Sequence, residues 1–132
     1  MSRLLLDTTF LIDAERASDA LDDIVDDDDD VAIAAITIAE LRVGVALATG
    51  KQRARRKTFV DEVIAIIPAI TYDTAVAEAH AELLIAVRRQ GVPRGAHDLI
   101  IAATARASGR AVMTADARAF HDLPGVAFQR HR

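Results

Sequence analysis

The 132-residue chain has no cysteine, no tryptophan, a single tyrosine and only three prolines. Without cysteine, disulfides and thiolate metal sites are both excluded, which is compatible with a reducing compartment. Aromatic residues make up 4% of the chain, too few for a module that reads bases by stacking them on aromatic platforms. No apolar run approaches the roughly 20 residues a membrane span needs. The N-terminus lacks a basic segment leading into an apolar stretch and a cleavage site, so no secretion signal is visible and the cytoplasm is the expected location. What is present is 52% apolar and 27% charged residues, a soluble globular composition long enough for one domain with a sizeable core.

The net charge of −4 conceals a polarised chain. Residues 1–30 hold 11 acidic and 2 basic residues, a balance of −9, whereas residues 41–60 hold Arg42, Lys51, Arg53, Arg55, Arg56 and Lys57 with no acid. Such segregation builds an acidic pocket beside a basic track as readily as it builds solvated helix faces.

Arg3–Asp7 reads as a short strand, apolar enough to be buried on both faces as parallel strands are. Thr8 or Thr9 is placed to cap a helix through about Arg16. A short helix over Ala17–Val25 gives way to the five aspartates Asp26–Asp30, which repel one another and read as an exposed loop. Val31–Ile36 is the second strand, and a helix containing "TIAE" and Leu41 follows to a stop at Gly50. A helix over Gln52–Ile67 ends at Pro68, and Ala69–Thr71 is the third strand. Asp73 or Thr74 caps a helix to Gln90, with Val76, His80, Leu83 and Val87 along one face. A turn at Gly91, Pro93 and Gly95 leads to a helix over Ala96–Ser108. The fourth strand is "AVMT", a short helix covers Arg118–Asp122, and "VAF" is a fifth, edge strand. This alternation predicts an α/β fold: about five strands, mostly parallel, with helices on both faces.

Ligands of such sheets bind outside the carboxyl ends of the strands. Four acids fall there: Asp7 ending the first strand, Glu40 after the second, Asp98 opening the helix after the turn, and Asp116 two residues past the fourth strand. Each has a plain alternative. Glu40 with Thr37 fits a reciprocal capping box, Asp98 suits a helix dipole, and Asp7 and Asp116 suit helix caps. Four like charges on one rim repel and raise one another's pKa, so a sheet that tolerates them calls for cations. Hard oxygen donors without cysteine favour Mg²⁺ or Mn²⁺ over Zn²⁺, and a carboxylate-held Mg²⁺ suits phosphodiester hydrolysis. Thr114, on the same rim, is placed to orient a water or a carboxylate.

The segments "LLLDTTFLID", "AAITIAELRVG", "HDLIIAATA" and "VMTADARAFHDLPGV" together resemble, in order and spacing, the motifs of PIN-domain ribonucleases, most nearly the VapC-type toxins of bacterial toxin–antitoxin pairs. The resemblance covers nearly the whole chain as one PIN-like domain. It implies that Asp7, Glu40 and Asp98 hold metal. Asp116 falls on a position the family fills with Asp or Asn, and Thr114 on its hydroxyl position. It further implies Mg²⁺- or Mn²⁺-dependent RNA cleavage, homodimers, and a small antitoxin that wraps the toxin and inserts basic residues at the acidic pocket. His97 lies outside that shared set and His80 reads as a core or interface residue. Arg42 is placed to meet substrate phosphate or pair with an acid. Arg53, Arg55, Arg56 and Lys57 are placed to hold RNA backbone, which demands charge rather than rings, or simply to face solvent.

Two other enzyme or signalling readings fit less well. A haloacid-dehalogenase-type phosphatase wants a second acid where Thr9 stands, and a receiver domain wants a lysine beyond residue 57, where there is none. A PIN-like domain that binds RNA or metal without cutting remains the alternative to the nuclease.

Overall fold

A computed structural model describes residues 1–24 and 26–130. Its centre is a five-stranded, wholly parallel sheet in the order β3-β2-β1-β4-β5. The strands are β1 (Arg3–Leu6), β2 (Asp30–Ala34), β3 (Ala69–Ile70), β4 (Ala111–Thr114) and β5 (Phe128–Arg130). Helices α1 (Thr8–Arg16), α2 (Leu21–Ile24), α3 (Ala35–Leu47), α4 (Gly50–Ile66), α5 (Thr74–Gln90) and α6 (Ala96–Ala107) connect them, with a 3₁₀ turn at Ala117–Ala119. The fold is the expected α/β arrangement.

The period of two along β1 explains the layering, because successive side chains leave a strand on opposite faces. Leu4 and Leu6 join a core with Phe10, Leu11, Leu41, Val60 and Val63, so α1, α3 and α4 cover that face. Leu5 packs instead with Leu83, Ile101, Ala102 and Phe120, so α5 and α6 cover the other. All three leucines are at most 2% exposed, and each stabilises the sheet by about 1.5–3 kcal/mol relative to exposure.

Several boundaries differ from the sequence reading. Of the two cap readings, Asp7 and not Thr8 or Thr9 caps α1: its backbone is extended (φ −83°, ψ 169°) and its carboxylate accepts the Phe10 N–H at 2.8 Å. The second strand ends at Ala34, and α3 starts at the next residue without a side-chain cap. An apolar run cannot by itself separate a buried strand from a buried helix start, so "VAIAAI" proved half of each. Thr37 and Glu40 consequently lie inside α3, where Thr37 cannot serve as N-cap and the capping box does not form. α4 begins two residues before the expected Gln52. The short second helix is confined to Leu21–Ile24, with the expected end at Val25 outside the described residues. The turn after β4 is 3₁₀ at Ala117–Ala119 rather than a helix over Arg118–Asp122, and β5 begins at Phe128. α5 keeps its expected ends: Asp73 caps it, and Gly91 closes it in the left-handed conformation (φ 73°) that glycine adopts without strain.

Candidate active site

All four acids stand at the carboxyl edge of the sheet, by three kinds of local structure. Asp7 directly follows β1 and Asp116 follows β4 by two residues. Glu40 is the sixth residue of α3, one turn further in than the sequence suggested, and Asp98 is the third residue of α6.

Asp7 is the buried centre, 2% exposed. Thr114, wholly buried at the end of β4, donates its hydroxyl to Asp7 Oδ2 at 2.7 Å and accepts the Asp116 N–H at 2.9 Å. The threonine proton is thereby committed to Asp7. The threonine also links the first acid to the backbone of the fourth. Thr9 donates to Asp7 as well, 2.9 and 3.1 Å from its two oxygens. Thr8 donates to Glu40 Oε1 at 2.7 Å, and the buried Thr37 hydroxyl lies 3.3 Å from that of Thr8. The Glu40 carboxylate meets His97 on its other side, Nδ1 to Oε2 at 3.3 Å. Thr114 thus orients a carboxylate, one of its two expected tasks. Thr8, Thr9 and Thr37 are contributors the sequence reading did not single out, and the only signal was the hydroxyl pair in "DTT".

The electrostatics bind the four acids into one group. Burial pushes the Asp7 carboxyl above its usual value, opposed by its hydrogen bonds from Phe10, Thr114 and Thr9, with the Asp98 charge adding to the rise. Asp98 is raised by burial, then by Glu40 and Asp116, with His97 opposing. Asp98 therefore feels all three of the other acids. Asp116 serves no cap with its side chain, so its carboxylate is not spent on the 3₁₀ turn. The three-acid set that lies within 4.8 Å among the described residues is Asp26, Asp28 and Asp29, on the exposed aspartate run and not at this rim. The rim acids are spaced more widely than direct ligation of one ion by three of them would require. That spacing fits a hard cation that keeps several waters and touches one or two carboxylates.

The basic residues fall elsewhere. Arg42 pairs with Asp61 at 2.7 Å, and Lys57 binds the other oxygen of Asp61 at 2.7 Å. Arg55 and Arg56 converge on the buried Glu15 at 3.3 and 3.7 Å, and Arg56 also donates to the Gly44 carbonyl. Arg53 is exposed on α4. Four of the expected RNA-facing cations are therefore committed to acids. His80 sits half-buried on α5 with Nδ1 2.8 Å from the Tyr72 hydroxyl. A cleft of about 420 Å³ between α1, α3 and α4 opens beside Glu40, walled by Leu11, Phe59 and Val60.

The PIN domain family matches residues 4–126. The chain is 34% identical over 84 residues to ribonuclease VapC4 of Mycobacterium tuberculosis, covering 64% of this chain and 65% of that protein. It is 30% identical over 94 residues to the tRNA(fMet)-specific endonuclease VapC of Salmonella typhimurium, covering 71% and 70%. The chain thus spans about two thirds of the length of these curated relatives. Among solved structures, VapBC-5 of Mycobacterium tuberculosis, from the VapBC family of toxin–antitoxin systems, superposes with a TM-score of 0.81 at 30% identity over 99% of this chain and 100% of that one. The DNA-bound VapBC2 of Rickettsia felis superposes at 0.85 with 20% identity over 98% and 99%, a likeness of fold. No helix among the described residues is long and apolar enough to cross a membrane. With the matched family spanning β1 to the approach to β5, the chain belongs to the PIN-domain family.

Proposed function

We propose that the protein is a divalent-metal-dependent endoribonuclease, the toxin of a toxin–antitoxin pair, and that Asp7, Glu40, Asp98 and Asp116 form its catalytic centre. The observation that carries this is the convergence of four carboxylates from four elements on one rim, with Asp98 in the field of the other three. The ribonuclease names of the relatives and the toxin–antitoxin assignment of the structural neighbour support the same reading.

The donor set is all oxygen and the chain has no thiol, which fits Mg²⁺ or Mn²⁺. Asp7, Glu40 and Asp98 would hold the ion, one or two of them directly and the rest through its waters, with Asp116 assisting directly or through water. When bound, such an ion supplies Lewis-acid activation of a water and of the phosphoryl oxygens. The protein's part is orientation. Thr9 and Thr114 hold the Asp7 carboxylate in one plane, and Thr8 and His97 hold Glu40. Thr114 fixes the Asp116 backbone. A small antitoxin is the proposed protein partner, a homodimer the proposed assembly and the cytoplasm the proposed location.

The test is cleavage of total bacterial RNA by purified protein with Mg²⁺, with EDTA, and by Asp7→Asn, Asp98→Asn and Glu40→Gln variants. Discrete fragments that need both the metal and the carboxylates are expected. Cleavage surviving in EDTA or in all three variants would overturn the assignment. Absence of cleavage by an antitoxin-free preparation would favour the binding domain without catalysis.

A further inference from the structure

We propose that Arg94, Gly95 and His97, in the stretch immediately before Asp98, are positioning residues that set where Asp116, Asp98 and Glu40 stand relative to one another. The proposal deepens the metal-dependent reading and rests on it. Three contacts from one short segment carry it, two reaching an acid directly and the third reaching the loop that follows the fourth acid.

His97 places Nδ1 3.3 Å from Glu40 Oε2, while Thr8 holds the other oxygen at 2.7 Å. The Glu40 carboxylate is thus fixed from α1 on one side and from α6 on the other. Without His97, only a single hydroxyl would set its plane.

Gly95 acts by what it lacks. A Cβ built there would come 2.7 Å from Asp98 Oδ2 and 3.3 Å from its Cγ, so the Asp98 carboxylate lies over the glycine α-carbon. The Gly95 backbone (φ −60°, ψ 135°) is one that any residue adopts. Space for Asp98, and not conformational freedom, is therefore what the glycine provides. The atom that must yield to a methyl group is the end of a side chain, so the fold loses little and the carboxylate moves.

Arg94 reaches the fourth acid through its loop. Its guanidinium donates to the carbonyls of Arg118 at 3.4 Å, Ala119 at 3.2 Å and His121. Arg118 and Ala119 lie in the 3₁₀ turn that Asp116 leads into, and His121 follows it. A planar fork of N–H donors serves several carbonyls at once, whereas an ammonium on a flexible stem makes no such fixed array. A contact that only stabilised the loop would move the melting temperature and leave metal affinity alone.

The test titrates Mn²⁺ alone into the full chain, followed by electron paramagnetic resonance, with melting temperatures measured alongside. Wild type and Asp7→Asn come first. A site that wild type has and Asp7→Asn loses establishes the metal centre, and its absence would overturn the metal reading itself. Given that site, Gly95→Ala, His97→Ala and Arg94→Lys are each expected to weaken Mn²⁺ by roughly 10- to 100-fold at nearly unchanged melting temperature, the usual cost of losing a residue that supports a ligand. His97→Asn should recover most of the loss, since its amide nitrogen occupies the place of Nδ1. Wild-type Mn²⁺ affinity in Gly95→Ala and His97→Ala would overturn the proposal.

Discussion

Asp7 answers two demands with one carboxylate. It caps α1 through Phe10 and stands at the centre of the acidic rim, 2% exposed. Alanine at this position removes both functions. It is expected to lower stability by about 0.5–2 kcal/mol, the cost of a lost N-cap, as well as to abolish cleavage. Asparagine keeps an oxygen for the cap but loses the charge and the second acceptor oxygen, so Asp7→Asn should lose less stability than Asp7→Ala and be equally inactive; urea unfolding beside an RNA-cleavage assay separates the two. The pH dependence has a definite sign. Asp7 and Asp98 are both raised in the folded state. Between the ordinary carboxylate range, near about 4, and their raised values, the folded protein binds more protons than the unfolded one, so stability falls as pH rises through that window. In EDTA the melting temperature of Asp98→Asn relative to wild type should therefore climb with pH across it and level off above. Saturating Mg²⁺ should close the gap; a gap that is constant with pH would contradict the assigned cause. The acids were legible because they follow strand ends, a position fixed by sequence order. Thr8 was not, because the partner of a hydroxyl is decided by what the fold brings across, here from 32 residues away.

Between elements, α4 shows how a sequence pattern misleads about purpose. Its basic first half reads as an RNA track, yet Arg55 and Arg56 turn inward to Glu15 of α1, whose side chain is 4% exposed, while Lys57 and Arg42 share Asp61. The acid that explains the arginines lies some 40 residues earlier, and no local rule connects them. Periodicity located α4, α5 and α6 to within two residues, because their apolar faces repeat over several turns. It failed at the β2–α3 junction, where Ala34 and Ala35 carry no turn residue to mark the change. The Glu15 contact yields a prediction of its own. Glu15→Ala should destabilise the fold by about 0.5–1.5 kcal/mol, the net worth of a lost hydrogen bond, because Arg56 keeps the Gly44 carbonyl and Arg55 turns to water, with the loss read by chemical denaturation. Arg55→Ala should cost clearly less, because Arg55 is 60% exposed and its pairing with Glu15 is partly screened.

Across the whole molecule the sheet separates two acidic regions that composition alone merges. The aspartate run enters β2 at its amino end, where Asp30 pairs with Arg3 and Arg110 and Asp29 accepts the Ser2 N–H. The four rim acids stand at the carboxyl end. The four residues Val31–Ala34 of β2 lie between, about 13 Å at a rise of some 3.3 Å per residue. That exceeds the Debye length of roughly 8 Å at physiological salt, so the charge of the run is largely screened at the rim. Asp26, Asp28 and Asp29 are nevertheless the three acids packed within 4.8 Å among the described residues, and proximity alone would make them the metal site. They are largely exposed and succeed one another on a loop, and nothing shields a bound ion there from water. Replacing Asp26, Asp27, Asp28 and Asp29 together with Asn, while keeping Asp30 for its arginines, should leave the Mg²⁺ concentration for half-maximal RNA cleavage unchanged. Glu40→Gln alone should raise it or abolish cleavage. A quadruple variant with a markedly raised Mg²⁺ requirement would move the metal centre to the opposite end of the sheet. The proposed catalytic centre is placed at the carboxyl end because four separate elements converge there, with Asp7 and Glu40 held by neighbouring side chains and Asp7 and Asp98 raised by burial and nearby acids, whereas the aspartate run is one stretch of chain whose charges follow from adjacency.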